Sequence, residues 1–221
     1  MFPFPFSFIA PTASGLADID NVYSMEFDGQ SYVETGYIYN ATVTPNLSIS
    51  FWYNSTTVGN FLFPISIPTG GGNANYPSAI CMVYCGRLLI SDRSGWNPGP
   101  CSGTLLTSGW NNIIITAAYS GNTTDGTNLN IYLNGNLTPE LTSAGMGTGV
   151  NSYLNGELRF GAFNPNYVTP GYWSGKLDEI GVWESILTSD DITEIYNATS
   201  AGSPAKTADL STMATPPVAW Y

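Results

Sequence analysis

The 221-residue chain is long enough for one large domain with a buried core, and it is rich in aromatic residues (14%) and poor in charged ones (10%). Its formal net charge is −11, because sixteen Asp and Glu oppose only five scattered Lys and Arg. Binding to nucleic acid or an anionic membrane needs clustered cations, so neither is an expected partner. The chain has no histidine, which excludes a Ser-His or Cys-His nucleophile.

The first twenty residues, 1–20, are expected to form an extended arm. Two prolines near the start favour an extended backbone. A signal peptide begins with basic residues, and this segment has none, so we do not expect it to be one. We expect the arm either to dock on a partner's groove or sheet edge or to pack on its own domain. Four aromatic side chains would project from one side of it: Phe2, Phe4, Phe6 and Phe8.

Residues 21–198 have the pattern of an antiparallel β-sandwich. Strand-length apolar segments follow one another at short intervals, without helices between them. Asp28-Gly29 predicts a hairpin turn between the first two strands, and Asn134-Gly135 predicts another after the eighth. The predicted strands are Met25–Phe27, Tyr32–Gly36, Leu47–Tyr53, Phe61–Ile67, Ala79–Tyr84, Arg87–Ser91, Ile113–Tyr119, Leu129–Leu133, Leu158–Ala162 and Lys176–Trp183. Leu47–Tyr53 alternates apolar and small residues, as a half-buried strand does.

One short helix is predicted near the end of this region. Thr188 and Asp191 have the spacing of a capping box, and Leu187 and Ile192 have that of a hydrophobic staple. Beyond the helix the composition shifts to Ser, Ala, Thr and Pro. Residues 199–221 are therefore expected to be a linker or tail.

The order of these segments resembles the LamG-like jelly-roll domains of the concanavalin A-like lectin/glucanase superfamily. The resemblance implies an all-β, two-layer antiparallel sandwich with one short C-terminal helix. One departure is the pair Asn111 and Asn112, where the family usually has two histidines of structural role. Six segments between residues 22 and 198 carry the resemblance: SMEFDGQSYVETG, LSISFWY, GWNNIIITAAYSG, NIYLNGN, LRFGAF and WSGKLDEIGVWESILTSDDITEIYN.

The two ends of the chain, MFPFPFSFIAP and ATPPVAWY, resemble those of LamG-containing proteins of marine bacteriophages. This resemblance implies a virion-surface or appendage subunit, a decoration or fibre-like protein that contacts copies of itself or other virion proteins. Many weak contacts to a host surface or glycan would add up through multivalency. The alternative is a carbohydrate-binding module of a secreted bacterial protein. Either interpretation implies a virion-surface or extracellular location.

Catalysis is not expected, although some relatives on this fold are β-glucanases. Those enzymes need a carboxylate pair arranged as Glu-x-Asp-x-x-Glu on one strand face. Here the nearest carboxylates, Asp178 and Glu179, are adjacent in a predicted strand. Adjacent strand residues point to opposite faces, so they should not form the pair.

Two predicted loops combine aromatic rings with amide or carboxylate groups, the usual elements of a sugar site. Such rings on loops favour contact with a glycan or a neighbouring protein, and loop packing is the alternative. The candidate ligand-binding residues are Asp92, Trp96 and Asn97 in the first loop, and Asn164, Asn166, Tyr167, Tyr172 and Trp173 in the second.

Asp28 and Asp178 are candidate calcium ligands, since oxygen-rich loops of such sandwiches can hold Ca²⁺. The alternative is that they accept hydrogen bonds at a sheet end. Cys81 and Cys85 would lie about 13 Å apart on a strand, too far to form a disulfide. Cys101 could bond either one, or all three could be free thiols.

Overall fold

The computed structural model describes eleven stretches of the chain. No helix among them is long and apolar enough to cross a membrane. The described residues are 18–20, 24–40, 43–55, 62–67, 79–84, 87–91, 108–118, 128–142, 155–162, 171–200 and 206–221.

These stretches contain fourteen strands and one α-helix. In chain order the elements are β1 (Asp18–Asp20), β2 (Met25–Asp28), β3 (Val33–Asn40), β4 (Asn46–Asn54), β5 (Leu62–Ser66), β6 (Ala79–Tyr84), β7 (Arg87–Ser91), β8 (Asn111–Ala118), β9 (Asn128–Leu133), β10 (Leu141–Thr142), β11 (Asn155–Phe160), β12 (Ser174–Trp183), α1 (Ser189–Ser200), β13 (Lys206–Ala208) and β14 (Ala219–Trp220).

Two antiparallel sheets form the layers of the sandwich. One has seven strands in the order β10-β9-β8-β4-β12-β14, with β2 also paired to β12, and the other has five in the order β3-β11-β5-β6-β7. A two-stranded sheet joins β1 to β13. The predicted all-β, two-layer sandwich is confirmed, and all ten predicted strands have a counterpart.

The main core lies between the two sheets. Inward side chains of β4 alternate along that strand, and Leu47, Ile49, Phe51 and Tyr53 are almost completely buried. They meet Leu158 and Phe160, with other residues of the five-stranded sheet, across the interior. Burial of this much apolar surface is the main stabilising contribution to the fold.

β4 differs from the half-buried strand that its sequence predicts. Its outer residues are also buried, with Ser48 0%, Ser50 1% and Trp52 8% exposed. The ring of Trp52 stacks on Tyr196 of α1 at a centroid distance of 6.2 Å. α1 and the C-terminal segment cover this face, so both faces of β4 are removed from water.

The prediction of a hairpin at Asp28-Gly29 is wrong, although a turn does form there. Gly29 has φ +82°, a conformation that glycine adopts readily. However, β2 pairs with β12 in the seven-stranded sheet, whereas β3 pairs with β11 in the five-stranded sheet. The turn therefore carries the chain from one layer to the other.

The prediction of a tight turn at Asn134-Gly135 is confirmed. Both residues have positive φ, 50° and 72°, as a type I′ turn requires. The backbone N–H of Asn136 donates to the carbonyl of Leu133 (3.0 Å). β10 then returns antiparallel to β9, with Leu141 opposite Ile131.

The helix begins as its sequence predicts. The hydroxyl of Thr188 donates to the carboxylate of Asp191 (2.7 Å), and the N–H of Asp191 donates to the Thr188 hydroxyl (3.2 Å). The carboxylate of Asp191 also accepts from the N–H of Thr188 (2.8 Å). Leu187 and Ile192 are both buried, at 4% and 2% exposure, in the positions expected of a hydrophobic staple.

The segment expected to be a tail packs on the sandwich over residues 206–221. β14 pairs with β12, and the indole N–H of Trp183 donates to the carbonyl of Thr215 (2.9 Å). Leu210 and Met213 are buried in a second cluster with α1. Sequence composition missed this because a few apolar residues are enough to fix an irregular segment against a preformed surface.

Candidate functional site

Most of the sequence-predicted site residues lie outside the described residues, and their roles stay predictions. They are Asp92, Trp96 and Asn97 of the first loop, Asn164, Asn166 and Tyr167 of the second, and Phe2, Phe4, Phe6 and Phe8 of the arm. Tyr172, Trp173, Asp28 and Asp178 lie within the described part.

The turn after β2 and the residues just before β12 bring two tyrosines together at one end of the sandwich. Tyr32 and Tyr172 have ring centroids 6.4 Å apart with planes tilted by 40°. Tyr32 is 37% exposed and Tyr172 is half-buried, so the pair presents aromatic surface to solvent. We call Tyr32, Tyr172 and the turn residues 28–31 the tyrosine rim.

Asp28 gives the tyrosine rim an ordered carboxylate. Its Oδ1 accepts hydrogen bonds from the Ser31 hydroxyl (2.7 Å) and the Gln30 backbone N–H (2.8 Å). These bonds, that from Ser31 first, hold the pKa of the Asp28 carboxyl below its ordinary value. Asp28, Gln30 and Ser31 are all exposed, so the rim offers polar groups beside its two rings.

Asp28 and Asp178 are not positioned to bind one calcium ion. Asp28 lies opposite Ser174 on β12, four residues from Asp178, which corresponds to about 13 Å along the strand. Within the described part of the chain, no three His, Cys, Asp or Glu residues are grouped so that they could hold a metal ion. The two aspartates therefore lie apart on the sandwich, and the calcium-ligand role of each stays a prediction.

The prediction that Trp173 is exposed for sugar contact is wrong. Its side chain is 0% exposed and belongs to the core between the sheets. The ring lies 5.6 Å from that of Phe27 and 5.2 Å from that of Tyr53, measured between centroids. Of these two neighbouring aromatic residues, Tyr172 reaches the surface and Trp173 packs into the core just before β12.

A cleft lies along one side of β12, where β2 and β14 both pair with this strand, one after the other. Met25 of β2 is opposite Leu177, and Tyr221 exchanges two backbone hydrogen bonds with Ile180. Between these pairs the two strands leave a gap beside residues 178–179. The gap opens into a cleft of about 360 Å³, which we call the β12 cleft, lined by Ser24, Met25, Leu177, Asp178, Glu179, Trp220 and Tyr221.

A β-bulge places both carboxylates of β12 at this cleft. Leu177 and Ile180 both face the core, so two residues separate them, where a regular strand would have one. The register of β12 against β4 shifts between Asp178 and Gly181. The expectation that Asp178 and Glu179 point to opposite faces is therefore wrong, because the bulge keeps both out of the core.

Glu179 has a backbone conformation unusual for a residue with a side chain, φ +52°. The left-handed region costs about 1–2 kcal/mol for an L-residue. The Glu179 carboxylate accepts a hydrogen bond from the indole N–H of Trp220 (3.1 Å), and its backbone N–H donates to Oδ1 of Asp178 (3.0 Å). These bonds fix both carboxylates on one wall of the cleft. Sequence offers no signal for this arrangement.

Comparison with known families is consistent with this architecture. The model of the concanavalin A-like lectin/glucanases superfamily (Laminin_G_3) matches residues 27–193, more than half of the chain. The chain therefore belongs to this superfamily. No curated protein is significantly similar to it in sequence.

Two similar solved structures are domains found with sugars. One is domain 4 of AbnA, an extracellular GH43 arabinanase from Geobacillus stearothermophilus in complex with arabinotriose (TM-score 0.53, 16% identity, 80% of this chain and 79% of that chain covered). The other is the CBM40 of the Ruminococcus gnavus IT-sialidase bound to α2,3 sialyllactose (TM-score 0.52, 14% identity, 81% and 97% covered). At these identities the likeness shows a shared fold.

A whole enzyme is also similar over part of its length. The Trypanosoma rangeli sialidase in complex with 2,3-difluorosialic acid has a TM-score of 0.50 and 11% identity over 72% of this chain. This chain covers 24% of that enzyme. The likeness in fold is therefore limited to about a quarter of the sialidase.

Proposed function

We propose that this domain recognises carbohydrate without cleaving it, and that the tyrosine rim is its glycan contact. The observation that carries this is the Tyr32–Tyr172 pair, which is open to solvent beside exposed carboxylate, amide and hydroxyl groups. Sugar rings stack their C–H faces on aromatic side chains while such polar groups bond their hydroxyls. Glycan-bound domains of the same fold support the proposal.

A glycan array followed by calorimetry on the hits tests the rim. Tyr32→Ala and Tyr172→Ala are each expected to weaken binding at least about tenfold, the loss of one good aromatic contact. Ile186→Ala is the matched control, because Ile186 is 39% exposed, close to the 37% of Tyr32, but follows the end of β12 opposite to Tyr172. Unchanged affinity in both rim variants would remove the rim as the contact.

Binding without hydrolysis is proposed from the residues of β12. If Asp178 stood for the central Asp of Glu-x-Asp-x-x-Glu, the two glutamate positions would be 176 and 181, which are Lys and Gly here. The catalytic pair of this fold's β-glucanases therefore has no counterpart on this strand. Release of reducing sugar from a glycan hit, abolished by Asp178→Asn, would contradict the proposal.

We propose two settings for such a domain, both outside the cell. It could be a carbohydrate-binding module of a secreted bacterial protein, which the glycan-bound neighbours favour. The other is a virion-surface subunit held to its neighbours by the arm 1–20, as the chain ends suggest. Deleting residues 2–9 distinguishes them: a virion subunit should lose assembly, seen by light scattering and electron microscopy, while its folding is unchanged. A module should be monomeric with or without the arm.

A further inference from the structure

The tyrosine rim carries one charged group, the carboxylate of Asp28. Ser31, whose hydroxyl donates to this carboxylate, is the residue before Tyr32. Ser174, which lies opposite Asp28 on β12, is two residues after Tyr172. The backbone therefore holds the carboxylate close to both rings.

The turn packs on the start of β12, and an added Cβ at Gly29 would lie 3.6 Å from Cβ of Ser174. The two hydrogen bonds within the turn both end on Oδ1 of Asp28, whereas a carboxylate accepts about four bonds in all. Because the bond from Ser31 lowers its pKa, the Asp28 carboxyl stays charged in mild acid. It can therefore accept charge-assisted bonds from the hydroxyls of a bound sugar.

No cation accompanies this carboxylate in the segments that form the rim. Residues 21–36 and 161–175 contain no Lys and no Arg. A carboxylate on a bound sugar would therefore meet a like charge there, and like charges at short range repel each other. We propose that Asp28 makes the tyrosine rim select neutral glycans over acidic ones. This inference rests on the proposed glycan contact and names the class of sugar for it.

The two cations that flank the second segment in sequence are both paired with glutamates. Nη2 of Arg159 lies 2.9 Å from Oε1 of Glu34, and Nζ of Lys176 lies 3.6 Å from Oε2 of Glu26. Each glutamate offsets the charge of its cation, so neither cation gives the rim a net positive neighbour. The net charge of −11 adds a field of the same sign as Asp28.

The neutral groups of the rim do not distinguish acidic sugars from neutral ones. The C–H face of either kind of sugar stacks on an aromatic ring. The amide of Gln30 and the hydroxyl of Ser31 can bond a sugar hydroxyl or a sugar carboxylate. The charge of Asp28 is thus the feature of the rim that separates the two classes.

The experiment begins with a glycan array and keeps the hits that Tyr32→Ala abolishes. Each neutral hit is then compared with its own oxidised form, in which one terminal CH₂OH group is a carboxylate. Calorimetry on the full chain, with a chelator present, is expected to show at least about fivefold weaker binding of the acid, as for two unit charges about 4 Å apart in water. Added salt should narrow this difference, because it screens exposed charges.

Asp28→Asn tests the charge with little change of shape, because the amide keeps an oxygen for the bonds from Ser31 and Gln30. Neutral glycans should bind this variant more weakly, and the preference for them over the acids should disappear. Asp190→Asn is the matched control, since it removes the same charge from an exposed residue of α1, beyond the far end of β12. It should keep the preference, because exposed charges are screened within about 10 Å at 0.1 M salt. Circular dichroism and the denaturation midpoint confirm that each variant is folded.

The outcomes separate the selection from the rim itself. Equal binding of the neutral and acidic forms, or a preference that Asp28→Asn leaves unchanged, overturns the role of Asp28, while the rim function stands because the hits depend on Tyr32. Hits that need their own carboxylate and are abolished by Tyr32→Ala overturn the selection in the same way. If no glycan responds to Tyr32→Ala, the rim function fails, and the selection fails with it.

Discussion

Trp173 and Tyr172 are neighbours in sequence, and alanine substitution should separate the core role that burial gives Trp173 from the glycan contact that we propose for Tyr172. Truncating a buried tryptophan to alanine costs about 3–5 kcal/mol through lost burial and a residual cavity. Trp173 is fully buried, and its ring contacts those of Phe27 and Tyr53. We therefore expect Trp173→Ala to lower the free energy of unfolding by about 4 kcal/mol.

The measurement is urea denaturation followed by tryptophan fluorescence, with thermal unfolding as a second readout. A loss of about 4 kcal/mol corresponds to a fall in Tm of roughly 8–16 °C for a domain of this size. Trp173→Phe should lose less, about 1–2 kcal/mol. Part of the reason is that the indole N–H of Trp173 has no hydrogen-bond partner among the described residues, so removing it leaves nothing unsatisfied.

Tyr172→Ala is the matched comparison on the adjacent residue. Its half-buried ring pairs with the exposed ring of Tyr32, so the loss of stability should stay within about 1 kcal/mol. The glycan affinity should fall instead. A Trp173→Ala protein with an unchanged midpoint, or a Tyr172→Ala protein destabilised as strongly as Trp173→Ala, would show that the division between core and rim is wrong.

Three further predictions concern the framework. Burial raises the pKa of Tyr39 to about 12, and Tyr39 therefore ionises first in the unfolded chain. The contribution of Tyr39 to the free energy of unfolding should fall by up to about 2–3 kcal/mol as pH rises from about 10 to 12. Tyr39→Phe should lose less over that window, and at pH 7 its midpoint should be equal or slightly higher. Thr188→Ala, which removes the helix cap, should cost about 1 kcal/mol, or roughly 2–4 °C in Tm. Gly135→Ala should cost more than about 2 kcal/mol, since an added Cβ would lie 2.3 Å from Cδ1 of Tyr196. Gly36→Ala is the control, because Gly36 also has a positive φ (+74°) but no atom lies within 4 Å of the position of an added Cβ. Its free energy of unfolding should fall by only about 1 kcal/mol, the cost of the backbone strain.

The strands and the helix could be predicted because their signals are local. Apolar residues at strand spacing, and the cap of Thr188 with Asp191, depend on side chains a few positions apart. Such patterns indicate which face of a strand or helix is buried in the core. They do not indicate what packs on the opposite face, and for this reason the sequence predicts a half-buried β4.

Pairing partners and side-chain directions at irregular positions could not be predicted. Asp28-Gly29 has the composition of a hairpin turn, but β2 and β3 join different sheets. Trp173 and Tyr172 have the same sequence neighbours, and only the burial of Trp173 in the core separates the two residues. The bulge at residues 178–179 depends on register against β4 and β14, which single-sequence alternation cannot reveal.

The sequence by itself determined the layered β architecture, the capped helix and the absence of histidine chemistry, since composition and short-range periodicity specify these. Only the tertiary structure decided which aromatic rings reach solvent, and that residues 206–221 return to cover the seven-stranded sheet and close one side of the β12 cleft. The physical reason is that burial is a property of contacts between segments far apart in the chain. Those contacts exist only when the two sheets and the C-terminal segment are in place.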